Sequence, residues 1–237
     1  GGIRVEITLS DESGRLPLNQ TGEERWKIFF EEMDIQSTDI STLTDSLLDW
    51  IDRDDEPRLN AAEANVYQRR DPAYLPANGP IDDLYQLRLI EGFERLFFDE
   101  QGLPNDRFRT FRDCVTLLDT GAINYNTAPP LVLETLAEEL EFEAEKVTQF
   151  VLGSDLEAGT EDDRVLRPGL DDSDLPTDAD GEPLDFSATC RFLTVHIAAF
   201  SAGTVFRIAA RLYTETPSPG KIYPMTILEL QMKGSDL

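Results

Sequence analysis

Ile3-Arg4-Val5-Glu6-Ile7-Thr8-Leu9, residues 3–9, alternates apolar and polar side chains without a break. Period two is the signature of a half-buried β-strand. The turn Asp11-Glu12-Ser13-Gly14 follows, and then Leu16 and Leu18 resume the alternation, which predicts a hairpin. The same pattern returns only at the far end of the chain. Leu193, Val195 and Ile197 alternate there, as do Phe206, Ile208, Ala210 and Leu212. Pro217-Ser218-Pro219-Gly220 reads as a turn, and Leu228, Leu230 and Met232 as a last strand. Strands at both ends of the chain predict one antiparallel sheet over residues 1–20 and 186–237.

Between these ends the period changes to that of helices. Thr21 and Glu24 have capping-box spacing, ahead of Trp26, Phe29, Phe30 and Met33 on one helical face. A second helix is expected from Thr42 to Ile51. A third is expected from Asp82 as its cap, carried by Leu84, Leu87 and Ile90, with Gly92 as its end or a bend. Cys114 to Leu118 reads as an added strand. Thr127 is expected to cap a helix that tolerates Pro129 and Pro130 in its first turn and faces inward through Leu133, Leu136, Ala137 and Leu140. A further helix follows through Ala144, Val147 and Val151. Residues 153–185, rich in Asp, Gly and Pro, read as a long exposed acidic loop. Strand, helical block, strand gives an α+β class, with helical residues 21–152 inserted into a sheet.

Composition narrows the chemistry. The chain has 237 residues, with 47 acidic against 21 basic and a net charge of −26. Such a surface repels phosphate backbones and anionic lipid and favours cations or basic partners. No apolar run approaches the roughly 18 residues of a membrane span, and no signal peptide is evident. Gly1-Gly2 reads as a trimmed end, with the expectation that an N-terminal segment precedes it.

His196 is the only histidine and falls in an alternating strand, where a surface or packing role outweighs that of a general base. No GxSxG motif occurs, and acids are so frequent that no carboxylate pair singles itself out for hydrolysis. Cys114 and Cys190 form no CxxC pair. In an oxidising compartment they could bridge and tie the helical block to the sheet, and elsewhere they are two buried thiols.

One acidic stretch has the spacing of a calcium loop. Asp52, Asp54, Glu56, Asn60 and Glu63 stand at positions 1, 3, 5, 9 and 12, and Arg58 supplies a carbonyl at position 7. Pro57 stands where an EF-hand has glycine, so the motif itself is absent, and a solvated acidic loop is the competing reading. Asp178, Asp180 and Glu182 form a second, shorter calcium-like fragment, for which the solvated loop is favoured. Ile123-Asn124-Tyr125-Asn126-Thr127-Ala128 with the two helices after it has the form of a helix-hairpin-helix. Its link Glu141-Phe142-Glu143 carries the wrong charge for a phosphate backbone, so the module reads as structural.

The same segments carry a family resemblance. Leu48-Asp49-Trp50-Ile51-Asp52-Arg53-Asp54, Asn60-Ala61-Ala62-Glu63 and Tyr67 resemble the "DWxDxD…GAE…Y" core of the GspK family, the large minor pseudopilins of bacterial type II secretion. Ala61 or Ala62 replaces the usual glycine. Tyr74-Leu75-Pro76-Ala77-Asn78-Gly79-Pro80, Leu87 to Gly92, Gly121 to Pro129 and the turn Asp11 to Arg15 are similar to further family motifs, in the same order. The resemblance implies a pilin-like sheet with a large helical insertion and a preceding hydrophobic helix that anchors the protein in the inner membrane. It implies a periplasmic location, a tip complex with the I and J minor pseudopilins, capping of the pseudopilus, and bound calcium. No enzymatic activity and no nucleic-acid partner are expected. The competing readings are a calcium-dependent adhesion or binding module, a helix-hairpin-helix nucleic-acid binder and, last, a hydrolase.

Overall fold

A computed structural model describes residues 2–54, 56–61, 64–167, 176–182, 184, 187–201, 204–214 and 225–236. Strand β1 (Arg4–Asp11) pairs antiparallel with β4 (Phe192–Ser201), β4 with β5 (Thr204–Thr214), and β5 with β6 (Met225–Asp236), in the order β1-β4-β5-β6. The first strand therefore lies beside one that comes some 180 residues later. The chain leaves the sheet after Asp11, builds the helical block, and returns at Phe192. The antiparallel α+β class is as the alternation predicts. The turn at Pro217–Gly220 lies outside the described residues.

The helical block holds α1 (Glu23–Glu32), α2 (Ser37–Ile51), the short α3 (Ala64–Tyr67), a 3-10 turn at Leu84–Leu89, α4 (Phe93–Phe97), α5 (Asp106–Cys114), α6 (Pro130–Leu140) and α7 (Ala144–Leu152). Its core is aromatic. Phe111 of α5 lies 5.5–6.3 Å, ring to ring, from Trp26, Phe29, Phe30, Phe93 and Phe97. All six side chains are fully buried. Edge-to-face and stacked pairs at such distances add to the burial itself.

Several local expectations are corrected. Leu16 and Leu18 make no hairpin with β1. Leu16–Pro17 (β2) pairs in parallel with Val115–Thr116 (β3), a separate two-stranded sheet, because both leucines are fully buried in the helical core. The stretch from Cys114 is thus no added strand of the main sheet, and Cys114 closes α5. No capping box starts α1. Gly22 is its N-cap, and the Thr21 hydroxyl donates instead to the Pro17 carbonyl at 2.9 Å. Asp83 rather than Asp82 caps the third helical segment, by accepting from the Tyr85 N–H at 2.9 Å, and the segment is a 3-10 turn. Gly92, at φ +84°, makes the bend into α4. Thr127 does not cap α6, whose N-cap is Pro129. In the acidic segment, Leu166 and Leu184 are buried rather than exposed, and residues 168–175, 183, 185 and 186 lie outside the described part.

One departure concerns the sheet as a whole. Cross-strand partners share a face, so Val5, Ala199 and Phe206 stand in one row and Ile7, Ile197 and Ile208 in the next. This apolar face is open among the described residues. Ile3, Val5, Ile7, Leu9 and Phe206 are 53–69% exposed. The helical block meets the other face at its end, where buried Thr194 donates its hydroxyl to Glu12.

Candidate functional site

Two clusters gather the residues that the sequence singles out. The first joins sheet to helices. At the end of β1 the Asp11 carboxylate accepts from the Ser13 N–H through Oδ1, and from Asn124 Nδ2 and the Thr127 hydroxyl through Oδ2, each at 2.8 Å. The Ser13 hydroxyl accepts the Arg191 N–H at 3.0 Å, and Glu12 accepts from the Thr194 hydroxyl at 2.8 Å. Asn124 also donates its backbone N–H to the Ser13 carbonyl at 2.8 Å. Asn126 clasps Leu166 in both directions: its Nδ2 donates to the carbonyl at 2.9 Å and its Oδ1 accepts the N–H at 2.7 Å. Buried polar groups must find partners, and here they find one another. The turn 11–15 and the segment 123–128 are one interlocked joint between β1, β4 and the entry to α6.

The second cluster surrounds the loop after α2. Asp45 and Asp49 stand one helical turn apart and are buried. Asp49 and Asp52 both bind the Arg58 guanidinium, Asp52 at 2.6 Å, and Asp49 Oδ2 also accepts the Arg58 N–H at 2.9 Å. Asp45 accepts the N–H and the side-chain amide of Asn60, at 3.0 and 2.9 Å. Without such partners a charged carboxylate could not remain in the core. Sequence spacing missed Asp45 and Asp49, and it took Arg58 only for its carbonyl where the guanidinium holds Asp49 and Asp52. Their signal was carboxylates spaced i, i+4 along the inward face of a helix that also buries Leu43, Leu47 and Trp50.

Of the five expected calcium ligands, Asp52 has one oxygen engaged by Arg58, and its buried Oδ1 has no hydrogen-bond partner. Asp54 Oδ1 accepts the Glu56 N–H at 3.0 Å, and both side chains face solvent. Glu63 lies outside the described residues. In the second fragment Asp178 Oδ1 accepts from the N–H groups of Asp180 and Glu182, at 3.0 and 2.9 Å, closing a turn on itself. Among the described residues no three acidic, histidine or cysteine side chains converge on one point.

Cys114 and Cys190 are thiols, with no disulfide between them. Cys114 is buried at the end of α5, and burial pushes its pKa up to about 12. Cys190 sits beside Asp11 at the joint, and burial, then that carboxylate, pushes it to about 12 as well. At the helix-hairpin-helix, Glu141 adopts φ 56° where such hairpins carry glycine. Nearby, the Glu32 carboxyl is raised above its usual range, first by burial and then by Glu134, Glu138 and Glu31. That surface is unsuited to a phosphate.

Comparison with known proteins places this architecture. Residues 8–100 match the family model described as type II secretion system (T2SS), protein K. Over that stretch the chain is similar to type II secretion protein K. The matched stretch includes the turn 11–15, the Asp45–Asp49–Arg58 cluster and the loop 52–60. The type II secretion system protein K of Klebsiella pneumoniae is 36% identical over 88 residues, covering 37% of this chain and 24% of the relative. That of Pseudomonas aeruginosa is 27% identical over 151 residues, covering 58% of this chain and 41% of the relative. The chain thus spans well under half the length of these curated relatives. In solved structures, a chain of the GspK-GspI-GspJ complex from the enterotoxigenic Escherichia coli type 2 secretion system is similar. It has a TM-score of 0.63 and 16% identity, and the match covers 97% of this chain and 79% of that one. The fold of that chain is therefore shared over nearly the whole of this one.

Proposed function

We propose that this protein is a minor pseudopilin of type II secretion that caps the tip of the pseudopilus and supports export across the outer membrane. The observation that carries this reading is the open apolar sheet face of β1, β4 and β5 beside a bulky helical block. Contiguous exposed apolar surface of this kind marks an interaction site. An amphipathic or apolar helix laid along Val5, Ile7, Leu9 and Phe206 would remove that surface from water. In the proposed assembly the helix is the protein's own N-terminal segment, anchored in the inner membrane before assembly, with the described part in the periplasm. The helical block then fills the space above the sheet and leaves no room for a further subunit. The partners are the I and J minor pseudopilins, by analogy with the E. coli complex. In the full-length gene product, Ile7→Glu is expected to abolish recovery of I and J on a tagged chain, whereas Leu75→Glu, exposed on the helical block, is expected to leave it intact. Equal recovery by both variants would contradict the reading.

The role is structural, and calcium is proposed as its support. The fit rests on Asp52 Oδ1, a buried carboxylate oxygen without a hydrogen bond, with Asp54, Glu56 and Asn60 further along the same loop and Glu63, outside the described residues, as the expected fifth donor. A hard cation would relieve repulsion among these carboxylates. Bound only by the folded state, calcium would stabilise it by about 2.7 kcal/mol at a hundredfold excess over its dissociation constant. Calcium is expected to raise Tm over chelator, and Asp54→Ala to shrink the gap. An unchanged Tm in chelator, with no heat of binding by calorimetry, would leave these acids a solvated loop.

A further inference from the structure

Strand β1 is an edge of the main sheet. β4 lies on one side of it, and among the described residues no strand pairs with the other side. Every second residue of such a strand turns its N–H and C=O outward, a ready template for a further strand. Proteins blunt such edges with proline, lysine, a bulge or a very short strand. β1 has none of these. Residues 2–10 read Gly-Ile-Arg-Val-Glu-Ile-Thr-Leu-Ser, and the register with β4 runs unbroken from Arg4 to Asp11. The opposite edge differs. β6 breaks register against β5 between Arg211 and Leu212, and Glu229, Lys233 and Gly234 occur along it.

Both faces of β1 are open as well. Val5, Ile7 and Leu9 are more than half exposed on one face, and so are Arg4 and Glu6 on the other. Those two are the only charged residues before Asp11, one of each sign. The stretch is therefore neutral in a chain of net charge −26. Isoleucine, valine and threonine give it high strand propensity.

The strand is also complementary to itself. Two copies that pair antiparallel about a two-fold axis at one residue set odd residues opposite odd ones, so apolar face continues into apolar face. An axis at Arg4 or at Glu6 puts like charges directly opposite, which is destabilising. An axis at Ile7 leaves Arg4 opposite Ser10 and Glu6 opposite Thr8. An axis at Val5 sets Arg4 of each copy opposite Glu6 of the other, and Ile3 opposite Ile7.

We propose that two copies of this chain pair through the open edge of β1, antiparallel and centred on Val5, so that two four-stranded sheets become one. Within one copy Arg4 already meets Glu6 at 3.2 Å and lies 4.5 Å over the Phe200 ring. An exposed pair of this kind contributes little alone. In the dimer it becomes part of a ring of four alternating charges. The two copies repel at long range, but physiological salt screens charges beyond about 8 Å, and the neutral edge is where they can approach. About five residues a side, against the roughly 20–30 of a standard interface, makes the dimer reversible. The helix of the tip reading covers a face and not this edge, so the proposal goes beyond that reading and does not depend on it.

The test is sedimentation equilibrium of residues 1–237 at physiological salt, with concentration raised to the solubility limit. A reversible dimer is expected. Arg4→Glu and Glu6→Arg should each weaken it at least tenfold at unchanged Tm. The double variant Arg4→Glu with Glu6→Arg should restore it, and an equimolar mixture of the two single variants should form a heterodimer as tight as the original. A monomer at every concentration would overturn the proposal. So would a dimer that both single variants keep, which would point to stacked apolar faces, or a failure of both the double variant and the mixture to recover association.

Discussion

Replacing Gly14 by alanine is expected to destabilise the protein by about 3 kcal/mol, at the upper end of overpacking costs. A Cβ at this position would stand 2.5 Å from the Thr127 carbonyl oxygen and 2.8 Å from the Ala128 nitrogen. Both are backbone atoms, held by the bonds from Asp11 to Asn124 and Thr127, so no side chain can swing aside. The glycine is needed for close approach of two chain segments and not for an unusual φ. For a chain of this size the loss corresponds to a fall in Tm of about 6–12 °C. Gly79→Ala, where a Cβ would meet nothing nearer than the Ala77 carbonyl oxygen at 3.7 Å, is the control and should change Tm little. An unchanged Tm for Gly14→Ala would mean that the joint between sheet and helices yields, and the account of it would fail.

Phe111→Ala should cost more, about 3–5 kcal/mol, as for other large aromatic truncations in a core. Its ring packs with five other buried aromatic rings, three from α1 and two from α4, and a hole there cannot be filled by one neighbour. Phe111→Leu keeps much of the volume and should cost appreciably less. A loss below about 1 kcal/mol for the alanine variant, measured by urea denaturation, would show that the helical block is not organised around this ring.

The helix that carries Phe111 is also the clearest case of what sequence reading missed. The segment Asp-Arg-Phe-Arg-Thr-Phe-Arg-Asp-Cys over 106–114 has only Phe108, Phe111 and Cys114 to face inward among charged residues. Its start signal is Asn105, whose side chain accepts the Phe108 N–H at 3.1 Å. Where apolar residues repeat strongly, as in α1, α2, α6 and α7, the period identified helices, although the caps expected for α1 and α6 went elsewhere. Thr21 and Thr127 have capping chemistry, and tertiary partners took both hydroxyls. The parallel pair of Leu16–Pro17 with Val115–Thr116 is a contact across about a hundred residues, and no local pattern announces it. The four strands of the main sheet were plain from alternation, whereas the alternation of Leu16 and Leu18 pointed to a hairpin that does not form. Their alternation identified which side chains share a face, but not that the apolar face would stand open.

The candidate site was legible in a similar, partial way. Asp52, Asp54, Glu56 and Asn60 follow one another along one loop, but among the described residues no three acidic side chains converge there. What spacing could not reveal is that Arg58 takes one oxygen of Asp52, and that Asn60 turns its amide toward Asp45. Both depend on buried carboxylates of the preceding helix. The joint at Asp11, Ser13, Asn124 and Thr127 stood out as two separate motifs. Their meeting explains why each needs small or amide side chains, and it needed the fold to become visible.

The most direct test of the proposed tip role is to mix residues 1–237 with the soluble parts of the I and J minor pseudopilins proposed as its partners, and to repeat the mixture with the full-length chains. Mass is then measured by light scattering at high protein concentration. The account expects a 1:1:1 complex, weak for the soluble parts alone and stable with full-length chains, whose N-terminal helices cover the apolar sheet face. Separate species in both mixtures would contradict it.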